Sequence, residues 1–152
     1  MMREKFLALA IAVGTFGVVT GGIVGVGLVT AEPAGAQSVI SQNLSGDWTG
    51  GYISSDHSDV NTFNVKLRQQ AQALAGTVNE PNVFGDQSQA LFLTSTVTGD
   101  VRGDAVQFVK TYDGSAGVSH SVRYQGKLDH TGRRIRGTYT LEGGSGTFEM
   151  VR

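Results

Sequence analysis

Between residues 45 and 152 the chain alternates apolar and polar side chains with a period of two, and this limits it to an all-β fold. Phe63, Val65 and Leu67 alternate with Asn64, Lys66 and Arg68, and Ile135, Gly137, Tyr139 and Leu141 alternate with Arg136, Thr138 and Thr140. Successive side chains of a strand point to opposite faces, so each run has one face for a core and one for water. Helical periodicity is absent after residue 37. Eight runs qualify as strands: 45–53, 61–69, 73–79, 91–99, 104–112, 118–128, 134–142 and 145–152. Turn-rich stretches separate them, among them Asp113-Gly114-Ser115-Ala116-Gly117, Asp129-His130-Thr131-Gly132 and Glu142-Gly143-Gly144. The connections are too short for crossovers, so consecutive strands pair as hairpins. The expected fold is an eight-stranded antiparallel up-and-down β-barrel, whose closure removes exposed edges; a two-sheet sandwich is the alternative.

Ahead of the barrel lies an export-like segment. Arg3 and Lys5 precede an uncharged stretch from Phe6 to Ala31, followed by Glu32-Pro33 and the small-x-small sequence Ala34-Gly35-Ala36. The expected organisation is a signal peptide or signal anchor over 1–36, a short linker over 37–44 and the barrel over 45–152. The apolar stretch is long enough for a bilayer span, and Gly17, Gly21 and Gly25 recur at a helix-packing interval. Cleavage after Ala36 and retention as an anchor both remain open. Either places the barrel outside the cytoplasm, secreted or periplasmic in the first case and membrane-anchored in the second, since the basic residues precede the apolar run.

Composition narrows the partners. With 12 basic and 13 acidic residues the net charge is −1, which gives no electrostatic case for nucleic acid or for a general affinity for anionic membrane. Any membrane contact is expected through the N-terminal segment alone. The chain has no cysteine, so disulfides, thiolate metal sites and thiol nucleophiles are excluded. No cofactor or metal is expected. Asp56-His57-Ser58-Asp59 supplies metal-ligand types in one loop but reads as a solvated turn. Asp113, Ser119 and His120 have the residue types of a hydrolase triad, yet adjacent strand residues face opposite ways and no catalytic residue is assigned. Arg102-Gly103-Asp104 reads as a hairpin turn, and Arg123, Lys127, Arg133, Arg134 and Arg136 as a solvated basic face.

Gly46-x-Trp48 opens the first strand and Arg152 ends the last, in phase with its apolar face. This pairing resembles the structural signature of the calycin group: lipocalins, fatty-acid-binding proteins and avidins. The resemblance implies a small barrel in which Trp48 and Arg152 close one end. A guanidinium over an indole is also a common packing device. The Thr-Asp-Tyr motif of a full lipocalin and the several Trp residues of an avidin site are missing, so neither ligand is carried over.

In a meander, the connections near 54–60, 80–90, 113–117 and 143–144 share the end opposite Trp48 and Arg152, which makes that end the mouth. Alternation turns Lys110, Tyr112 and His120 inward there, with Tyr52 and Tyr139 completing a ring of polar tips over Phe63, Leu67, Phe108 and Phe148. A five-residue hairpin loop places Tyr112 opposite Val118 and Lys110 opposite His120. An inward lysine needs a partner, and two explanations are open: it holds the anionic group of a ligand, or it reaches solvent along its stem. Three functions follow: a cup for a small apolar or amphipathic ligand, an interaction or inhibitory module with a filled barrel, and a barrel isomerase or cyclase.

Overall fold

The computed structural model describes residues 42–56 and 59–152. The export-like segment, and His57 and Ser58 of the acidic loop, lie outside them. Eight strands form a closed antiparallel barrel in sequence order: β1 (Gly46–Ser54), β2 (Val60–Gln70), β3 (Ala73–Pro81), β4 (Phe92–Arg102), β5 (Ala105–Tyr112), β6 (Ser121–Leu128), β7 (Arg134–Leu141) and β8 (Gly144–Val151). Pairing of β1 with β8, from Thr49 opposite Val151 to Ser54 opposite Gly146, closes the ring. The meander is thus confirmed over the sandwich.

Local chemistry makes the corners. Two-residue connections at Ala71-Gln72, Gly103-Asp104 and Glu142-Gly143 carry positive φ at Ala71, Gly103 and Gly143, as tight hairpins of right-twisted strands require. Where the wall bends most, glycine lets neighbouring backbones approach. A Cβ at Gly137 would lie 1.9 Å from the Gln125 carbonyl oxygen, and one at Gly99 would lie 2.0 Å from that of Gln107.

The interior fills from the closed end upward. Leu67, Leu74, Val101, Val106, Leu128, Ile135 and Met150 form its lower layer with Trp48. Leu44, placed in the linker by sequence, is fully buried and belongs to this plug. The Trp48 indole N–H donates to the Leu44 carbonyl at 2.9 Å, and the Arg152 guanidinium lies 4.7 Å from the indole ring. Arg152 also donates through Nε to the Gly132 carbonyl and through Nη1 to the Asn43 carbonyl, each at 2.9 Å. Trp48 and Arg152 therefore meet at this end of the barrel. Above this layer, Phe108 stacks on Tyr124 at 4.7 Å and Phe148 meets Tyr124 edge-on at 5.0 Å. Leu67, expected in the floor of the mouth, pairs with Gly46 and lies beneath this layer, because β2 runs down toward the closed end. The basic face is partly paired: Arg134 and Arg136 both meet Glu149, and Lys127 meets Asp104.

Candidate functional site

At the end opposite Trp48, the side chains stop short of filling the barrel and leave a cavity of about 410 Å³. Tyr52, Lys110, Tyr112, His120 and Tyr139, the residues singled out from sequence, all line it. Val122 and Tyr124 supply its apolar base, and Ser54, Asp56, Glu142 and Gly143 its rim.

Parity placed Lys110 and Tyr112 correctly, but the register differs from expectation. Lys110 pairs with Val122 and Thr111 with Ser121, while the Tyr112 amide donates to the His120 carbonyl at 3.2 Å. The loop is longer than five residues because Asp113 caps the amide and hydroxyl of Ser115, at 2.9 and 2.6 Å. Positive φ at Gly114, Ala116 and Gly117 then builds a short 3₁₀ turn, Ser115–Gly117. Pairing therefore starts at Ser121, and the shift by two residues preserves the faces. His120 is moved to the rim, where it is exposed and its ring centre lies 4.8 Å from that of Tyr112.

Sequence reasoning missed Glu80. It lies on β3, extended to Pro81, and faces the barrel interior with 1% of its surface exposed. Lys110 Nζ donates to its carboxylate at 2.8 Å and to the Tyr112 hydroxyl oxygen at 2.7 Å. The Tyr112 hydroxyl donates to the same Glu80 oxygen. The solvent-reaching explanation for Lys110 is thereby corrected. Its ammonium does not reach solvent, since the lysine is 2% exposed, and its counter-charge comes from the protein's own carboxylate. The signal for Glu80 was present: Val78 faces inward, and alternation carries that face to residue 80.

The surroundings set the protonation chemistry. Burial pushes Lys110 below the ordinary lysine range, opposed by the charge and hydrogen bond of Glu80. The ammonium lies 4.5 Å from the Tyr112 ring centre and 5.3 Å from that of Tyr52, so the aromatic wall is occupied by the protein's own cation. Tyr52 and Tyr112 are pushed far up, first by burial and then by the charge and hydrogen bonding of Glu80, and Tyr124 is raised by burial and the Glu80 charge. These phenols remain protonated donors.

A pH dependence follows. A phenol whose folded pKa lies above its unfolded value of 10.0 contributes its full stabilising increment below that pH, and loses it progressively as pH rises. Phenolate absorbance is therefore expected to show Tyr52, Tyr112 and Tyr124 ionising only with unfolding, in one step with loss of the folded circular-dichroism signal. Reversible ionisation of these three tyrosines near pH 10 in the folded protein would contradict the buried cluster.

A folded loop over 82–91 flanks the mouth. Asn82 organises it: its side-chain amide donates to the Ala90 carbonyl at 2.8 Å and its oxygen accepts the Gly85 amide at 2.7 Å. Asp86 receives the Ser88 amide and hydroxyl and donates its own amide to the Ala116 carbonyl, tying this loop to the 3₁₀ turn. Phe84 is thereby set against Tyr112 and His120, at centroid distances of 5.8 and 6.1 Å. Asp113 serves as a turn cap. No cluster able to hold a metal ion exists among the described residues.

Comparison with known proteins supports the architecture and stops there. No known protein family matches the sequence, and no curated protein is similar to it. Among solved structures, the chain is similar to one described as a redesigned beta barrel, with a TM-score of 0.58 and 17% identity over 72% of this chain and 90% of that one. At that identity the likeness concerns the fold: the chain is a small, closed, eight-stranded β-barrel.

Proposed function

We propose that this protein is an exported small β-barrel that binds a small amphipathic molecule in the cup opposite the Trp48 and Arg152 closure. The observation that carries this reading is the cavity itself. Its volume of about 410 Å³ is in the range of small-molecule sites, and its wall combines aromatic surface with a few converging polar groups. The remaining interior is filled by side chains, so the cup is shallow and suits one compact ligand. The N-terminal segment, whether cleaved or kept as an anchor, delivers the barrel outside the cytoplasm.

The neutral naphthyl ketone dye prodan tests this reading. It should bind saturably with a blue-shifted emission, and Val122→Phe, which fills the base of the cup, should weaken it about tenfold, or 1.4 kcal/mol. Far-UV circular dichroism checks that the variant is folded. Absence of binding by the parent protein, or equal binding by a folded variant, would remove the cup as the functional site.

A further inference from the structure

The polar groups of the cup define which molecules it takes. Resting on the ligand-cup reading, we propose that the site selects neutral aromatic carbonyl compounds and discriminates against carboxylates.

Three observations carry this. First, the cation at the base is already neutralised. Lys110 and Glu80 are an ion pair at 2.8 Å with both side chains 2% exposed, so a ligand carboxylate entering beside them would meet a balanced pair, with a second anion near Glu80. Placing that extra charge in a poorly solvated site is costly unless something pairs with it. Second, hydrogen-bond donors remain unused. An ammonium has three N–H groups, and those of Lys110 serve two protein acceptors, Glu80 and Tyr112. The hydroxyls of Tyr124 and Tyr139, on cavity-lining residues, have no protein hydrogen-bond partner among the described residues. An uncharged carbonyl oxygen accepts such donors without bringing a charge. Third, Glu142 lines the opening, and its charge opposes an approaching anion. A cationic ligand is disfavoured at the base by Lys110, whose ammonium already occupies the aromatic faces of Tyr52 and Tyr112. The ring-lined base, with Tyr124 backed by Phe108, provides the stacking surface for an aromatic body.

The test uses two probes of nearly equal size, 2-acetylnaphthalene and 2-naphthoate, competing with bound prodan at about pH 8, where the naphthoic acid is ionised. The ketone should bind at least about tenfold more tightly than the carboxylate. Glu80→Gln, which removes the internal counter-charge, should shift the ratio toward naphthoate by a similar factor. Glu142→Gln changes only an exposed rim group, and should raise naphthoate affinity about twofold relative to the ketone. It keeps the test valid should Glu80→Gln fail to fold. Naphthoate binding as tightly as the ketone, an unchanged ratio in every folded variant, or bound prodan that neither probe displaces would each overturn the selectivity. Failure of prodan itself to bind would instead overturn the cup reading beneath it.

Discussion

Replacing Glu80 with Gln is expected to lower the unfolding free energy by about 3–5 kcal/mol, the usual consequence of leaving one member of a buried ion pair without its partner. The geometry explains the size. Glu80 accepts hydrogen bonds from both Lys110 Nζ and the Tyr112 hydroxyl, so one substitution disturbs two donors inside the barrel. Gln presents one acceptor oxygen and no charge, and the ammonium must then either remain buried unpaired or lose its proton. Lys110→Met should be less damaging, because the carboxylate left behind still accepts the hydrogen bond of the Tyr112 hydroxyl. The double variant Glu80→Leu/Lys110→Met should recover much of the loss, since well-packed apolar residues often match or exceed a buried pair. Urea unfolding of the parent, Glu80→Leu, Lys110→Met and their double variant gives the coupling energy directly. Additive losses in the double variant would mean that the two side chains contribute independently, and would contradict the pair as the organising contact of the mouth. A pair that is dispensable for stability but required for ketone selection would show that it is kept for ligand choice.

The same pair marks where sequence reading runs short. Period two fixes which residues of a strand face inward, so Lys110, Tyr112, Tyr52 and Tyr139 were legible one strand at a time, and hairpin lengths were enough to order the strands and to set the mouth opposite Trp48. Contact between Glu80 and Lys110 is of another kind. It crosses from β3 to β5 over the intervening β4, and depends on the stagger and curvature of the closed barrel. Glu80 also sits in Asn79-Glu80-Pro81-Asn82, whose turn-favouring residues mask the end of β3. The 113–120 connection hides its register for a related reason. Loop length alone predicts a five-residue hairpin, whereas the Asp113 cap and the positive φ of Ala116 lengthen the turn at the expense of β6. Glu80 and Asp113 both lie at the mouth, where strands end and turn-forming sequence begins.

Trp48→Ala should rank with the loss of Glu80, at about 3–5 kcal/mol, because it empties a large volume that the rigid surrounding strands cannot fill. Trp48 is 2% exposed and its indole N–H serves the Leu44 carbonyl, so its removal also frees the segment that plugs the closed end. The segment keeps other tethers, among them the Gln69 side-chain oxygen accepting the Leu44 amide at 2.8 Å and Arg152 donating to the Asn43 carbonyl, but none of them fills the space the indole leaves beside Leu44. Arg152→Ala should cost less, about 0.5–1 kcal/mol, since its cation–π contact is exposed and its donors cap carbonyls that water can reach. The contrast separates closure from ligand binding. Arg152→Ala lies at the far end from the cup and should leave prodan affinity unchanged, whereas Val122→Phe should weaken prodan with little change in the closed end. Chemical denaturation gives the stability order, and dye titration of each folded variant gives the binding order. If the arginine variant lost prodan in proportion to its stability, the two ends would act as one cooperative unit, and the closed end would then take part in forming the cup.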